Sequence, residues 1–166
     1  KPLVSHQDSR GFFREIIRKT DSIFNLEFAQ WSHSHMAKNT VKAWHYHHKQ
    51  TDWWYIAQGC LLTILIDARE ESPTFGNKLI FSLGPEAQLM AVVRIPPGVL
   101  HGCKVLSATA DMLYITSQTY DPNDEGRFSF NSKQFAVTWG DESELIISGN
   151  DRKNFIPTYE REKMKL

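Results

Sequence analysis

The densest run of chemistry-bearing side chains is Trp44-His45-Tyr46-His47-His48-Lys49-Gln50-Thr51-Asp52, closed by Gly59. Side chains on a strand alternate between faces, so His45 and His47 point the same way. Asp52 follows His47 with enough chain between them to turn and return on the next strand. Further on, Pro96-Pro97-Gly98-Val99-Leu100-His101 sets another imidazole just after a turn that can bring it back across a barrel. Three imidazoles and one carboxylate on one wall make a mixed nitrogen and oxygen donor set that suits a divalent first-row metal. A lone His is ordinarily a satisfied core or surface residue. At this spacing His45, His47, Asp52 and His101 form a candidate metal site instead. His6, His33, His35 and His48 have no such spacing and read as ordinary polar residues.

The elements that must position these groups are short strands. Residues 11–17, 28–34, 41–47, 53–56, 60–67, 78–82, 89–95 and 111–116 are rich in β-branched or aromatic side chains, and Gly, Pro, Asn or polar clusters punctuate them. Gln58-Gly59 reads as a tight turn and residues 72–76, Ser-Pro-Thr-Phe-Gly, as a longer loop. Many short strands at close spacing predict an all-β sandwich or barrel of the jelly-roll kind. Helix is scarce: a short turn over 21–26, and a charged tail from about Asn150 that reads as a helix or a surface strap. No repeat, linker or low-complexity tract divides the chain, so residues 1–166 are expected to form one domain.

Composition narrows the function classes. The chain has 166 residues, 41% hydrophobic and 23% charged, which is ordinary for a soluble protein. Lys+Arg and Asp+Glu balance at 19 each, so no global field favours a nucleic-acid polymer or a membrane surface. An anionic ligand must be held by local cations. Cys60 and Cys103, the only cysteines, give neither a zinc ribbon nor a disulfide framework, and a reduced cytoplasm is the expected location. No apolar stretch reaches the length of a membrane span.

The spacing H-x-H-x4-D-x6-G followed by P-x-G-x2-H resembles the two metal-site motifs of the cupin superfamily, with Asp52 where most metal cupins carry Glu. A second resemblance covers nearly the whole chain. Asp8-Ser9-Arg10-Gly11-Phe12-Phe13-Arg14-Glu15, Val41-Lys42-Ala43-Trp44-His45-Tyr46, Asp67-Ala68-Arg69 with the Ser-Pro-Thr-Phe-Gly loop, Ile95-Pro96-Pro97-Gly98 with His101-Gly102, Tyr120-Asp121-Pro122 with Glu125, and Ile147-Ser148-Gly149-Asn150-Asp151 stand in the order found in the dTDP-4-dehydrorhamnose 3,5-epimerase family. The resemblance implies a cupin β-barrel with short flanking helices. It implies an isomerase that inverts C3, C5 or both of a nucleotide-linked 4-keto-6-deoxyhexose, in deoxysugar and polysaccharide biosynthesis, with no cofactor. His45 matches the family's catalytic base, Asp151 the carboxylate that orients it, and Tyr120 the acid on the opposite face. Arg10, Glu15, Gln30, Lys42 and His101 match substrate contacts. The family's homodimers exchange an N-terminal strand, so Arg10 and Glu15 are expected to serve the neighbouring chain's site.

Four positions depart from that pattern. Lys42 replaces the Arg that normally stands three before the catalytic His. Asp52 stands where the family has the Lys that faces the 4-keto oxygen, Thr63 where an Asp supports that Lys, and His47 where Gln follows the catalytic His. A carboxylate beside a developing enolate repels it. Either a divalent metal on His45, His47, Asp52 and His101 replaces the lost cation, or Asp52 is paired locally, with Lys49 the nearest candidate, and the chemistry differs. The readings kept open are therefore an epimerase, a 3,4-ketoisomerase (whose H-x-H pair His45-Tyr46-His47 resembles), and a metal-dependent or non-catalytic sugar-nucleotide-binding cupin.

Overall fold

Two consecutive runs, residues 52–58 and 61–67, are buried at nearly every position, which requires strands covered on both faces. The computed structural model, which describes residues 1–9, 11–24 and 28–156, builds the molecule around them. Strands β1 (Ser5–Asp8) and β2 (Gly11–Arg14) form a separate two-stranded ribbon. β3 (Gln30–Ala37), β4 (Thr40–His47), β5 (Asp52–Gln58), β6 (Leu61–Asp67), β7 (Lys78–Leu83), β8 (Val93–Ile95), β9 (Val99–Val105), β10 (Thr109–Thr116), β11 (Glu125–Arg127) and β12 (Ile146–Ile147) follow. They make two sheets, ordered β3-β10-β5-β8 and β11-β4-β9-β6-β7, with β12 parallel to the start of β4. From β3 onward the chain changes sheet at every connection except β6 to β7 and β11 to β12, as a jelly roll does. The expected all-β fold is the one found.

Alternation along β5 sorts its side chains. Trp54 and Ile56 face the other sheet and pack with Leu61, Leu65, Leu83, Cys103 and Met112 into the central core. Trp53 and Tyr55 point outward, where Val92 and apolar side chains of the N-terminal segment, Leu3, Ile16 and Phe24 among them, cover them. The outer face of the second sheet is covered by Phe128, Phe130, Phe135, Trp139 and Leu145, which pack on Val41, Trp44 and Ile64. Two glycines are required by close approach. At Gly59, between β5 and β6, φ is +84° and a Cβ would lie 2.2 Å from the Thr109 carbonyl oxygen. At Gly126 a Cβ would lie 1.9 Å from the Tyr46 ring, so only glycine lets β11 lie against β4 there.

The differences from expectation are local. Residues 21–24 form a turn rather than a helix, while Asn25 and Leu26 lie outside the described residues. The described helical elements are single 3-10 turns at Lys133–Phe135 and Glu142–Glu144. Residues 150–156 are a turn and an extended strap bridged through Phe155 to Arg127, and the rest of the tail lies outside the described residues. The run expected over 89–95 is strand only at Val93–Ile95, and Val99–Val105, read from sequence as the exit of a turn, is a full central strand. Among the described residues no helix is long and apolar enough to cross a membrane.

Candidate active site

A cavity of about 230 Å³ lies against β4, β5, β9 and β10, and Lys42, His45, His47, Asp52, His101 and Tyr120 are among its walls. On a regular strand Lys42 and His45 would face opposite ways. The pairing of β4 with β9 slips between them: Lys42 stands opposite Cys103 and His45 opposite His101. The extra residue, in a segment whose Ala43–Trp44 peptide is cis, turns both side chains into the cavity while Ala43 and Trp44 go to the core behind.

His45 is held at both ring nitrogens. Nδ1 meets Glu125 Oε1 at 2.6 Å and Nε2 meets Asp151 Oδ1 at 2.8 Å. Since both partners are carboxylates, the arrangement is that of a doubly protonated imidazolium. Burial opposes that charge, but the hydrogen bonds to Asp151 and Glu125 outweigh it and hold the His45 pKa at about 9. Burial likewise works to raise the Glu125 carboxyl, and His45 and Arg127 reverse this, leaving it well below the usual carboxylate range. Arg127 Nε donates to the same Glu125 oxygen at 2.6 Å, and Arg127 also interacts with the Tyr120 hydroxyl. β11 supplies Glu125 because it pairs with β4 in the register Glu125–His47 and Arg127–His45. Asp151 arrives on the C-terminal strap, where its own carbonyl accepts from Phe130 N–H and Ser148 Oγ donates to its second oxygen.

On β5, in the other sheet, the polarity inverts. Asp52 is buried, and its bonded partners among the described residues are neutral: Gln50 Nε2 donates to Oδ1 at 2.8 Å and Trp54 Nε1 to Oδ2 at 3.2 Å. Burial, only partly offset by His47 and these donors, pushes its carboxyl pKa up. His101 is buried too; its Nδ1 must donate to the Val99 carbonyl, 3.1 Å away, which leaves Nε2 with a lone pair. Desolvation, with His47 and His45 nearby, pushes its pKa well down. Donor atoms of His47, Asp52 and His101 all lie within 4.8 Å of one another. His45, the fourth member of the expected metal set, is not in that group, and both its nitrogens are engaged with carboxylates. Nor does Lys49 pair with Asp52; that position is taken by Gln50, which reaches back because Asp124 anchors the Lys49 and Gln50 backbone N–H groups.

The remaining expected residues divide. Gln30 lines the cavity and accepts the Tyr120 backbone N–H through Oε1. Lys42 Nζ donates to Ser34 Oγ at 2.7 Å. Tyr120 sits at the cavity mouth with an exposure of 61%. Glu15 is outside this cavity, ion-paired with Arg18 on the surface, and Arg10 lies outside the described residues. The Thr63 hydroxyl is buried without a partner among the described residues. Glu125 stands with the Tyr-Asp-Pro motif, but the sequence assigns it no role. Its 80-residue separation from His45 carries no periodicity, and only its place in that motif could have flagged it.

The family model described as dTDP-4-dehydrorhamnose 3,5-epimerase matches residues 2–157. The chain is 34% identical over 145 residues, 86% of its length and 94% of the relative's, to the spore coat polysaccharide biosynthesis protein SpsL of Bacillus subtilis. It is 29% identical over 157 residues, 89% of its length and 83% of the relative's, to the dTDP-4-dehydrorhamnose 3,5-epimerase of Escherichia coli. Among solved structures it superposes with a TM-score of 0.78 and 28% identity on a Legionella pneumophila dTDP-6-deoxy-D-glucose-3,5-epimerase in complex with dTDP-4-keto-L-rhamnose, covering 90% of this chain and 81% of that one.

Proposed function

The chain belongs to the dTDP-4-dehydrorhamnose 3,5-epimerase family, and on that premise we propose that it is an epimerase of a nucleotide-linked 4-keto-6-deoxyhexose, with His45 as base and Tyr120 as acid. The observation that carries the reading is His45 on the cavity wall, clamped by Asp151 behind and Glu125 beside it, with Tyr120 at the mouth. A proton next to a ketone is acidic because the enolate spreads its charge onto oxygen. An imidazole can take that proton once it has a free lone pair, so His45 must first surrender one of its two N–H protons to solvent. Glu125 lines the cavity and Asp151 does not. The nitrogen facing Glu125 is thus the one that opens to substrate, while Asp151 keeps the ring's orientation and stabilises the imidazolium after transfer. Tyr120 then delivers a proton from the other face of the enolate, and the carbon is inverted. Lys42, the lysine on the cavity wall, supplies positive charge for the anionic substrate.

The test is solvent-deuterium incorporation at C3 and C5 of dTDP-4-keto-6-deoxyglucose. Wild type should incorporate deuterium and invert. Tyr120→Phe should retain exchange while inversion slows, because the donor is lost and the ring kept. Equal loss of both would show that Tyr120 does not act as the separate acid.

The same reading makes the protein a cytoplasmic homodimer with an exchanged N-terminal ribbon. The β1–β2 ribbon belongs to neither main sheet and exposes Phe12 and Phe13, with Val4 exposed just before it, and a ribbon with unpaired edges favours pairing with another chain. Glu15, outside this chain's own cavity, would then reach the partner's. Sedimentation at micromolar concentration should give a dimer; a monodisperse monomer would refute the exchange.

A further inference from the structure

We propose that His47, Asp52 and His101 form a binding site for one divalent first-row transition metal, opening into the cavity beside His45. His101 Nδ1 must donate to the Val99 carbonyl, so its Nε2 presents a lone pair. The Gln50 amide nitrogen donates to Asp52 Oδ1 at 2.8 Å, which identifies it as the NH2 end, and the same nitrogen lies 3.2 Å from His47 Nε2, so that nitrogen too accepts. Three electron-pair donors therefore converge, with a single neutral amide bridging two of them.

A buried carboxylate is expensive unless a cation accompanies it. The bonded partners of Asp52 among the described residues are the neutral Gln50 and Trp54. Two of the cations nearby are committed, His45 to Glu125 and Asp151 and Arg127 to Glu125, and Lys42 on the same cavity wall donates to Ser34 rather than to Asp52. A divalent ion would supply the missing charge. Ligands about 2.1 Å from a zinc-like ion stand roughly 3–4 Å apart. The three donor atoms already lie within 4.8 Å of one another, so a contraction of at most about 1–2 Å, with Gln50 moving off, completes the geometry. Second-shell order is in place as well, since the Val99 carbonyl fixes the His101 tautomer as metal-bound imidazoles require.

The donor set selects the ion class. Two imidazoles and one carboxylate favour zinc, cobalt, nickel, iron or manganese over magnesium or calcium, which prefer all-oxygen sites. Three protein ligands leave at least one coordination position, and it faces the cavity. Resting on the proposed epimerase reading, that position would meet the sugar's ketone oxygen, where a cation would hold developing negative charge.

The test uses the whole protein, stripped by chelator and dialysed, with no substrate present, so that its result stands whether or not the epimerase reading does. Co²⁺ is titrated and followed by visible d–d absorption. The expected result is one equivalent bound, a spectrum of a nitrogen- and oxygen-ligated ion, and competition by Zn²⁺ but not by millimolar Mg²⁺. Asp52→Asn and, separately, His47→Gln should each weaken binding about 100-fold or more, with circular dichroism verifying the fold. Absence of binding below millimolar Co²⁺ would overturn the proposal. So would binding that both variants retain but that His33→Ala removes, since it would lie at the surface His33–Asp111–His35 cluster instead.

Discussion

Around His45 one imidazole stands between two carboxylates, whereas around Asp52 one carboxylate stands near two imidazoles, and the ring centroids of His45 and His47 lie only 6.2 and 5.5 Å from that of His101. The two neighbourhoods use the same residue types and titrate in opposite directions. In the first, carboxylates outnumber the imidazole, Arg127 adds a cation, and every charge has a partner; His45 is raised and Glu125 lowered. In the second, the one carboxylate has neutral donors, and desolvation is the largest influence; Asp52 is raised and His101 lowered. Burial is common to both, so the local ratio of acid to base decides the sign. One side is built to hold and release a proton, the other to offer electron pairs.

The largest expected effect comes from His45→Ala. It removes the proposed base and leaves Glu125 and Asp151 without the cation they share. Turnover should fall by about 10²–10⁴-fold or more. Stability in urea should drop by roughly 3–5 kcal/mol, as when one partner of a buried pair is deleted. Turnover near wild type in a folded variant would move the base to the other cluster.

Glu125→Gln sharpens the comparison through pH. In wild type, kcat/KM should rise with pH toward about 9, as the free enzyme's His45 loses a proton. Removing one of its two carboxylates should shift that limb down by about 1–3 units. The stability consequence has a definite sign. Because the folded-state pKa of His45 is raised above its ordinary 6.5, its contribution is complete below pH 6.5 and lost as pH rises through about 9. Thermal unfolding between pH 6 and 10 should show this loss in wild type and less of it in the variant. Superimposable profiles would mean that Glu125 does not set the His45 charge.

The smallest effect is expected at Asp52, measured without metal. Its raised carboxyl pKa means that ionisation costs the folded state, fully above the folded-state value and progressively less as pH falls toward 3.8. Asp52→Asn should relieve that cost most at pH 7 and least at pH 4. The net change should stay within about 1–2 kcal/mol, since the new amide must be accommodated by the Gln50 NH2. A larger loss at pH 7 than at pH 4 would show the ionised carboxylate to be stabilising, and would remove the contrast with His45.

Local sequence carried much of this. The period of two puts His45 and His47 on one face, the density of short apolar runs predicts the jelly roll, and the ordered motifs point to His45, Tyr120 and Asp151 as the proposed site. Those features depend on neighbours in the chain, so a sequence displays them. Tertiary structure alone decided the rest. The slip between Lys42 and His45 depends on how β4 registers against β9, some sixty residues away, and no period reveals it. Glu125 reaches His45 because Gly126 lets β11 lie against Tyr46. Whether an imidazole is held charged or left neutral depends on which carboxylates the fold brings within 3 Å of it. His45 has Glu125 and Asp151, separated from it by 80 and 106 residues, and His101 has a backbone carbonyl. Residue types limit what can titrate; the protonation state belongs to the assembled neighbourhood, because desolvation and pairing exist only once the chain has folded.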